Sequence, residues 1–294
     1  MSEFGIRWRF IATSVARLLL PMWFAIYGAL MVQNLVSHDF QFIDIEVYRT
    51  AAGAALAGED PWAPRPGALA FAGPPPTLLL FVPLTFVSLE VAIVVVTAIL
   101  VVAAVWAVRR LGLPLWWVLF PPVLESLIVG NPDVLVLAFL LARGPLAGLA
   151  VVAKVYAVIP LIYQRRWKAL AFGLALSALT LPLWPAFIAD LGSITGSLDV
   201  QSEGFSAWGT LWILPTLLAL WMLRRKGAEW LVVPGLWPHT QTHYGAMSLP
   251  VMHRYPIAAA IVGLGTPLAP PIAIIVIALQ ERLGLGPGPD EPKP

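Results

Sequence analysis

Apolar residues in this chain come in runs rather than alternating with polar ones. From Phe10 onward, stretches of some 20 residues with few charges follow one another, each about long enough for a helix to cross a hydrocarbon core of about 30 Å. The pattern predicts an all-α polytopic membrane protein with about ten transmembrane helices. They fall at Phe10–Val32, Pro76–Ser88, Leu89–Ala107, Leu113–Val129, Pro132–Ala142, Pro145–Tyr163, Ala169–Ala189, Ala207–Leu223, Glu229 to about Val251, and Pro256–Leu279. Pro121, Pro122 and Pro132 predict broken or re-entrant helices over 113–142, because proline removes a backbone donor and clashes with the preceding turn. The first run is too long for a signal-peptide core and continues straight into polar chain, so it is read as a retained span. No internal repeat is visible, which counts against the inverted-repeat transporters.

Two segments depart from the pattern. Between Asn34 and Pro75 the chain turns polar, yet Val47, Ala51, Ala54 and Ala55 recur at spacings near three and four. That periodicity predicts a short helix lying at the membrane interface, with Asp44 at its start. At the other end, "GLGPGPDEPKP" from Gly284 cannot bury a core. The expected organisation is a single membrane domain over 1–283 and a disordered cytoplasmic tail over 284–294.

Charge assigns the sides. Arg7, Arg9 and Arg17, then Arg165, Arg166 and Lys168, then Arg224, Arg225 and Lys226 form clusters that should face the cytoplasm. The loops 34–75 and 190–206 are rich in acids and should be external. Five crossings between the first loop and Arg165 satisfy this parity, with the N-terminus cytoplasmic in a plasma (inner) membrane. Parity also leaves Arg109 and Arg110 outside, where basic residues are disfavoured, and so makes them candidate anion ligands. With 59% hydrophobic and 12% charged residues and a mean hydropathy of +0.83, the chain is no soluble domain, and no nucleic-acid partner is expected. The absence of cysteine excludes disulfides, thiolate chemistry and cysteine metal sites.

Charges inside the apolar runs are costly and therefore informative: Glu125, Asp133 and Lys154, with Glu90 at a margin. Lys154 reads either as an ion-pair partner of Glu125 or Asp133, or as a cation facing an external cavity that receives a phosphate. "VGNPD" breaks a helix and leaves Asn131 and backbone amides available. His239 and His243 are four apart, which on a helix would put both imidazoles on one face. They lack the glutamate of an HExxH zinc motif, so no metal is assigned and the pair is read as lining a polar cavity. Asp44 reads equally as an ordinary helix N-cap.

Four stretches in order carry a resemblance: "DIEVYRTAAGAALAGEDPW" with "GPPPTLLLFVPL", then "GNPDVLVLAFLLA", then "AGLAVVAKVYAVIPLIYQRRWKAL", and finally "PGLWPH". Over roughly Asp44 to His239 the chain resembles glycosyltransferase family 87, the polyprenol-phosphate-dependent mannosyltransferases with the GT-C membrane fold. It departs in carrying Asn131 where Gln is common and Trp62 where Tyr is common. The resemblance implies an enzyme that moves mannose from a polyprenyl-phosphate donor to a lipid or glycan acceptor outside the membrane, without a cofactor. It further implies that Asp44, through its Asp-x-x-x-Tyr context with Tyr48, is the general base of an inverting displacement. Lys154, Arg109, Arg110, Asn131, His239, His243 and Tyr48 are then the candidates for binding the donor phosphate and sugar. Two other readings stay open: a transporter or lipid flippase using Lys154, Glu125 and Asp133 as a polar pathway, or a non-catalytic relative of the enzymes.

Overall fold

The computed structural model describes residues 3–63 and 69–286, with side chains described for all of these except 3–14, 16, 17 and 200. The side chains of Arg7, Arg9 and Arg17, and the expected tail from Pro287 onward, lie outside the described residues. Among the described residues there is no strand. Helices α1 (Glu3–Ser37), α2 (Ile43–Ala57), α3 (Pro75–Phe81), α4 (Leu89–Arg110), α5 (Pro121–Val129), α6 (Asp133–Leu141), α7 (Leu149–Ala153) and α8 (Val158–Tyr163) form the first part of the chain. They are followed by α9 (Trp167–Ser177), α10 (Trp184–Ala189), α11 (Leu191–Gln201), α12 (Ile213–Met222), α13 (Val232–Leu236), α14 (Leu249–Met252), α15 (Pro256–Val262) and α16 (Ala269–Arg282).

Three described helices are long and apolar enough to cross a membrane: Leu18–Ser37, Leu89–Arg110, and Trp167–Ala189, which joins α9 to α10. They overlap the expected first, third and seventh spans. Helices α5 and α6 supply a fourth if taken together, bent by 118° at the break 130–132. That bend falls inside 113–142, where the prolines predicted a broken or re-entrant path. The expected span 145–163 is a series of short pieces, a 3-10 turn at Pro145–Gly148, α7, a second 3-10 turn at Val155–Ala157, and α8. The expected span 229–251 is divided in the same way.

The chain divides into two compact units. One comprises Met1–Gln33, Val108–Leu124 and Glu203–Pro294; the other comprises Asn34–Ala107 and Glu125–Ser202. In the first, Phe24 is fully buried among Trp116, Trp117 and Phe120, with ring centroids 5.2–5.8 Å away. Trp23 donates its indole N–H to the Ala260 carbonyl at 3.0 Å, tying α1 to α15.

The second unit is built around α2. Ile45, Tyr48, Ala51 and Ala52 recur at helical spacing and bury against α3, with the Tyr48 ring stacked 4.5 Å from Phe81 and edge-on to Phe71 at 5.4 Å. Full burial of an Ile or Leu side chain contributes about 1.5–3 kcal/mol, so Ile45 and Leu78 anchor this contact. Helix α9 meets the 3-10 turn at Gly148 so closely that a Cβ there would stand 2.1 Å from the Ala169 carbonyl oxygen. Close backbone approach through small residues is the usual packing mode of helices in lipid. Arg166 donates to the carbonyls of Leu140 and Ala142, closing the C-terminal end of α6, where cations are favoured.

The loop after α2 is pinned to α10. Trp62 donates its indole N–H to the Gly73 carbonyl at 2.9 Å and packs on Phe187 at 5.3 Å. Asp60 accepts the Trp62 backbone N–H at 2.9 Å and shares a hydrogen bond with Asp190. Partial desolvation, then the charge and hydrogen bond of Asp60, raise the Asp190 carboxyl above its ordinary range. A raised acid favours the protonated folded form, so this contact stabilises the fold in acid and is lost as pH rises through the raised value. Asp190→Asn keeps a donor toward Asp60 and removes the like charge. It is expected to raise the melting temperature at neutral pH and to leave it unchanged in acid, read by thermal denaturation across pH.

Candidate active site

Helix α2 starts at Ile43 after Phe42, which takes the left-handed conformation at φ 60° and contributes no side-chain cap. Asp44 therefore does not cap its helix. Its position in the first turn still places the carboxylate near the positive end of the helix dipole. Instead of a cap, Asp44 finds a partner in the break between α5 and α6: the Asn131 amide Nδ2 donates to Asp44 Oδ2 at 2.6 Å.

The break is shaped to make that contact. Gly130 sits at φ +80°, and a Cβ on it would come within 2.4 Å of Ile45 Cγ1, so glycine is required both by conformation and by space. The Phe42 N–H donates to the Ile128 carbonyl at 2.8 Å, fixing the start of α2 against the end of α5. Ser126 donates to the Asn131 carbonyl at 2.7 Å and accepts the Val134 N–H at 3.3 Å. The Asp133 N–H donates to Asn131 Oδ1 at 3.1 Å. That bond orients the amide and turns its donor toward Asp44. Gly130→Ala is expected to separate α2 from the break and to lower any activity that depends on Asp44 at least tenfold, since a misplacement of about 1 Å at a reacting site costs that much or more. Initial rates on the folded variant would check it.

Beneath Asn131 lies a buried polar group. Asp133 is fully buried, accepts the Tyr156 hydroxyl at 2.5 Å, and pairs with Lys154 Nζ at 3.7 Å. The ion-pair reading of Lys154 is thus formed, with Asp133 as partner. The ammonium also lies 5.8 Å from the Tyr48 ring centroid, within cation–π range, and the Lys154 side chain keeps 13% exposure. Lys154 and Tyr156 reach one carboxylate because α7 ends at Ala153 and Lys154 takes an extended conformation, φ −150° and ψ 124°. Thr77 of α3 accepts responsibility for the carbonyl freed there, donating to the Ala153 oxygen at 3.1 Å.

Of the residues singled out from the sequence, the second unit brings together Asp44, Tyr48, Asn131 and Lys154. Tyr156 and the orienting role of Asp133 are additions. Arg109, Arg110, His239 and His243 belong to the first unit. Arg109 and Arg110 are exposed in the last turn of α4, where cations complement the helix C-terminus. The two histidines do not share a helical face as their spacing suggested. His239 is left-handed at φ 55° in the non-helical stretch after α13, and His243 is buried in the 3-10 turn Thr242–Ser248. Helix α13 ends at Leu236, before either histidine, so no helix carries both. Beside them Glu203 accepts both the N–H and the hydroxyl of Thr242, each at 2.8 Å. Among the described residues no three His, Cys, Asp or Glu side chains group as metal ligands.

A family model, glycosyltransferase family 87, matches residues 71–279, well over half of the chain. The matched stretch includes Asn131, Asp133, Lys154 and Tyr156 and begins after Asp44 and Tyr48, later than the resemblance suggested. No curated protein and no solved structure matches the chain. The chain belongs to glycosyltransferase family 87 and is a membrane glycosyltransferase.

Proposed function

We propose that the enzyme moves a hexose, mannose first among candidates, from a polyprenyl-phosphate donor to a lipid or glycan acceptor on the external face of the membrane. The observation that carries this reading is the state of Asp44: one carboxylate oxygen is held by Asn131, while Oδ1 makes no hydrogen bond among the described residues, and the side chain is part-exposed. A base needs that arrangement, because a fixed carboxylate with an open lone pair can accept a proton without reorganising.

The acceptor oxygen attacks the anomeric carbon and gives its proton to Asp44 Oδ1. The new carbon–oxygen bond forms as the bond to the donor phosphate breaks on the opposite face, inverting that carbon. The departing polyprenyl phosphate takes the electron pair and gains charge, which Lys154 meets. A lipid-borne sugar reacts at the depth of its phosphate, so a base on a helix at the outer interface suits the task while the donor tail stays in hydrocarbon. The acidic balance of 34–75 supports placing that helix outside, and a GT-C arrangement of about ten spans accommodates it, with the shorter helices paired end to end.

Purified protein reconstituted with polyprenyl-phosphate mannose and extracted membrane lipids should transfer labelled sugar to a lipid-extractable product. Donor hydrolysis alone, with no labelled acceptor, would contradict the proposal.

A further inference from the structure

The ends of α12 and α16 and the turn between α14 and α15 form a basic cluster in the first unit. Lys226, just past α12, pairs with Glu281 at the end of α16, and Glu281 also accepts the Tyr255 hydroxyl. Arg254, next to Tyr255, lies close enough for its charge to act on Glu281. These contacts gather Arg224, Arg225, Lys226, Arg254 and Arg282, while the acids of the same segments are Glu229 and Glu281. Base is in clear excess. Helix capping accounts for only part of it: Arg224 covers the Trp221 ring at 4.4 Å and donates to the Trp221 carbonyl at 2.9 Å, closing α12. Arg225, Arg254 and Arg282 make no side-chain hydrogen bond or ion pair among the described residues. Arg225 and Arg282 are exposed, whereas Arg254 is half-buried with its Nε closed to solvent. A guanidinium donor shut away from water without an acceptor is costly, so Arg254 fits an anion delivered from outside the chain.

The neighbouring apolar side chains say which anion. Leu214, Leu217, Leu218 and Trp221 of α12, with Leu279 and Leu283 at the end of α16, stand 46–73% exposed. Leu214 and Leu218, like Leu217 and Trp221, are four apart and so neighbours on the helix surface. Exposed apolar surface therefore runs up to the level at which the arginines begin, with a tryptophan at the boundary, which is the order of a lipid interface. A guanidinium fork matches a phosphate, and the leucines suit acyl chains. We infer that this cluster binds the headgroup of an anionic membrane phospholipid, its phosphate held by Arg254, its charge met by Arg224, Arg225 and Arg282, and its acyl chains laid along the exposed leucines. The cluster shares no residue with the site around Asp44, and the inference does not depend on the reaction proposed above.

The test titrates the full chain, in an uncharged detergent, with dioctanoyl phosphatidylglycerol and with dioctanoyl phosphatidylcholine, reading equilibrium binding and melting temperature. Phosphatidylglycerol should bind saturably, raise the melting temperature and weaken as salt is added, and phosphatidylcholine should do none of these. Arg254→Gln should weaken phosphatidylglycerol binding about tenfold, and Arg225→Gln and Arg282→Gln about fivefold each. Arg254→Lys, which keeps the charge and loses the fork, should fall between wild type and Arg254→Gln. Arg143→Gln removes an exposed cation from the other unit and should bind as wild type does. Equal binding of the two lipids, or equal binding by wild type and Arg254→Gln, overturns the inference. Should Arg254→Gln not fold, the double variant Arg225→Gln/Arg282→Gln decides, and unchanged binding overturns it. Inorganic phosphate binding as tightly as phosphatidylglycerol would make this a free-anion site and overturn the lipid assignment. Polyprenyl phosphate displacing phosphatidylglycerol at a tenth of its concentration or less would give the cluster to the donor lipid and overturn it as well.

Discussion

Asp44→Asn is expected to lower transfer by about 10²- to 10⁴-fold, the usual contribution of a general base, while the chain stays folded. The fold should survive because the substitution removes no cap: α2 begins after Phe42 without a side-chain cap bond. An asparagine oxygen at position 44 can still accept the Asn131 amide that now donates to Asp44 Oδ2. What is lost is favourable charge in the first turn of α2, about 0.3–1 kcal/mol at most sites. Stability and rate therefore separate, and a melting curve beside initial rates reads the separation. Turnover near that of wild type would remove Asp44 from the mechanism.

Lys154→Met has the larger structural effect. Asp133 is fully buried, and its charge is balanced by Lys154 at 3.7 Å and hydrogen-bonded by Tyr156 at 2.5 Å. Removing one partner of such a pair leaves an uncompensated charge and costs about 3–5 kcal/mol. The 13% exposure of Lys154 puts the expectation at the lower end. Asp133→Asn in the same chain should recover most of that loss, since the amide retains an oxygen for Tyr156 and carries no charge. A double-mutant cycle in thermal or denaturant unfolding measures the coupling. Transfer by the double variant then separates the two roles of the lysine. If stability returns and transfer does not, Lys154 also serves the donor phosphate. If both return, Lys154 is structural alone.

The sequence was most readable where a single period ran unbroken. The short helix expected from Asp44 to Ala57 is α2, one residue longer at its start; its buried face is Ile45, Tyr48, Ala51, Ala52 and Ala54, with Val47 and Ala55 of the expected set only partly buried. The uninterrupted apolar runs of 89–107 and 169–189 gave helices close to their expected bounds. Legibility failed where backbone breaks redirect side chains. Lys154 and Tyr156 are two apart, which in a helix would point them about 200° from each other and hide any shared partner. Only the extended conformation of Lys154 turns both toward Asp133, and nothing in the residue pattern "AKVYA" announces it. Asn131 was visible as a polar residue in a helix break, but its tie to Asp44 spans 87 positions and depends on the φ +80° turn at Gly130. The histidine spacing misled for the same reason: a four-residue interval carries facial meaning only if the helix continues through it.

The Lys154–Asp133 pair also bears on how the protein is made. Synthesis proceeds from the N-terminus, so α6, with Asp133 at its first position, leaves the ribosome before Lys154 does. An acidic side chain placed in a bilayer centre costs about 2.5–3.5 kcal/mol on insertion scales, and a lysine costs a similar amount. The arrival of α7 and the lysine at its end supplies the counter-charge, joining two segments that each enter lipid poorly alone. The order of translation thus makes the pair a latch on assembly, closed only once the chain around residue 154 has been delivered beside the chain around residue 133.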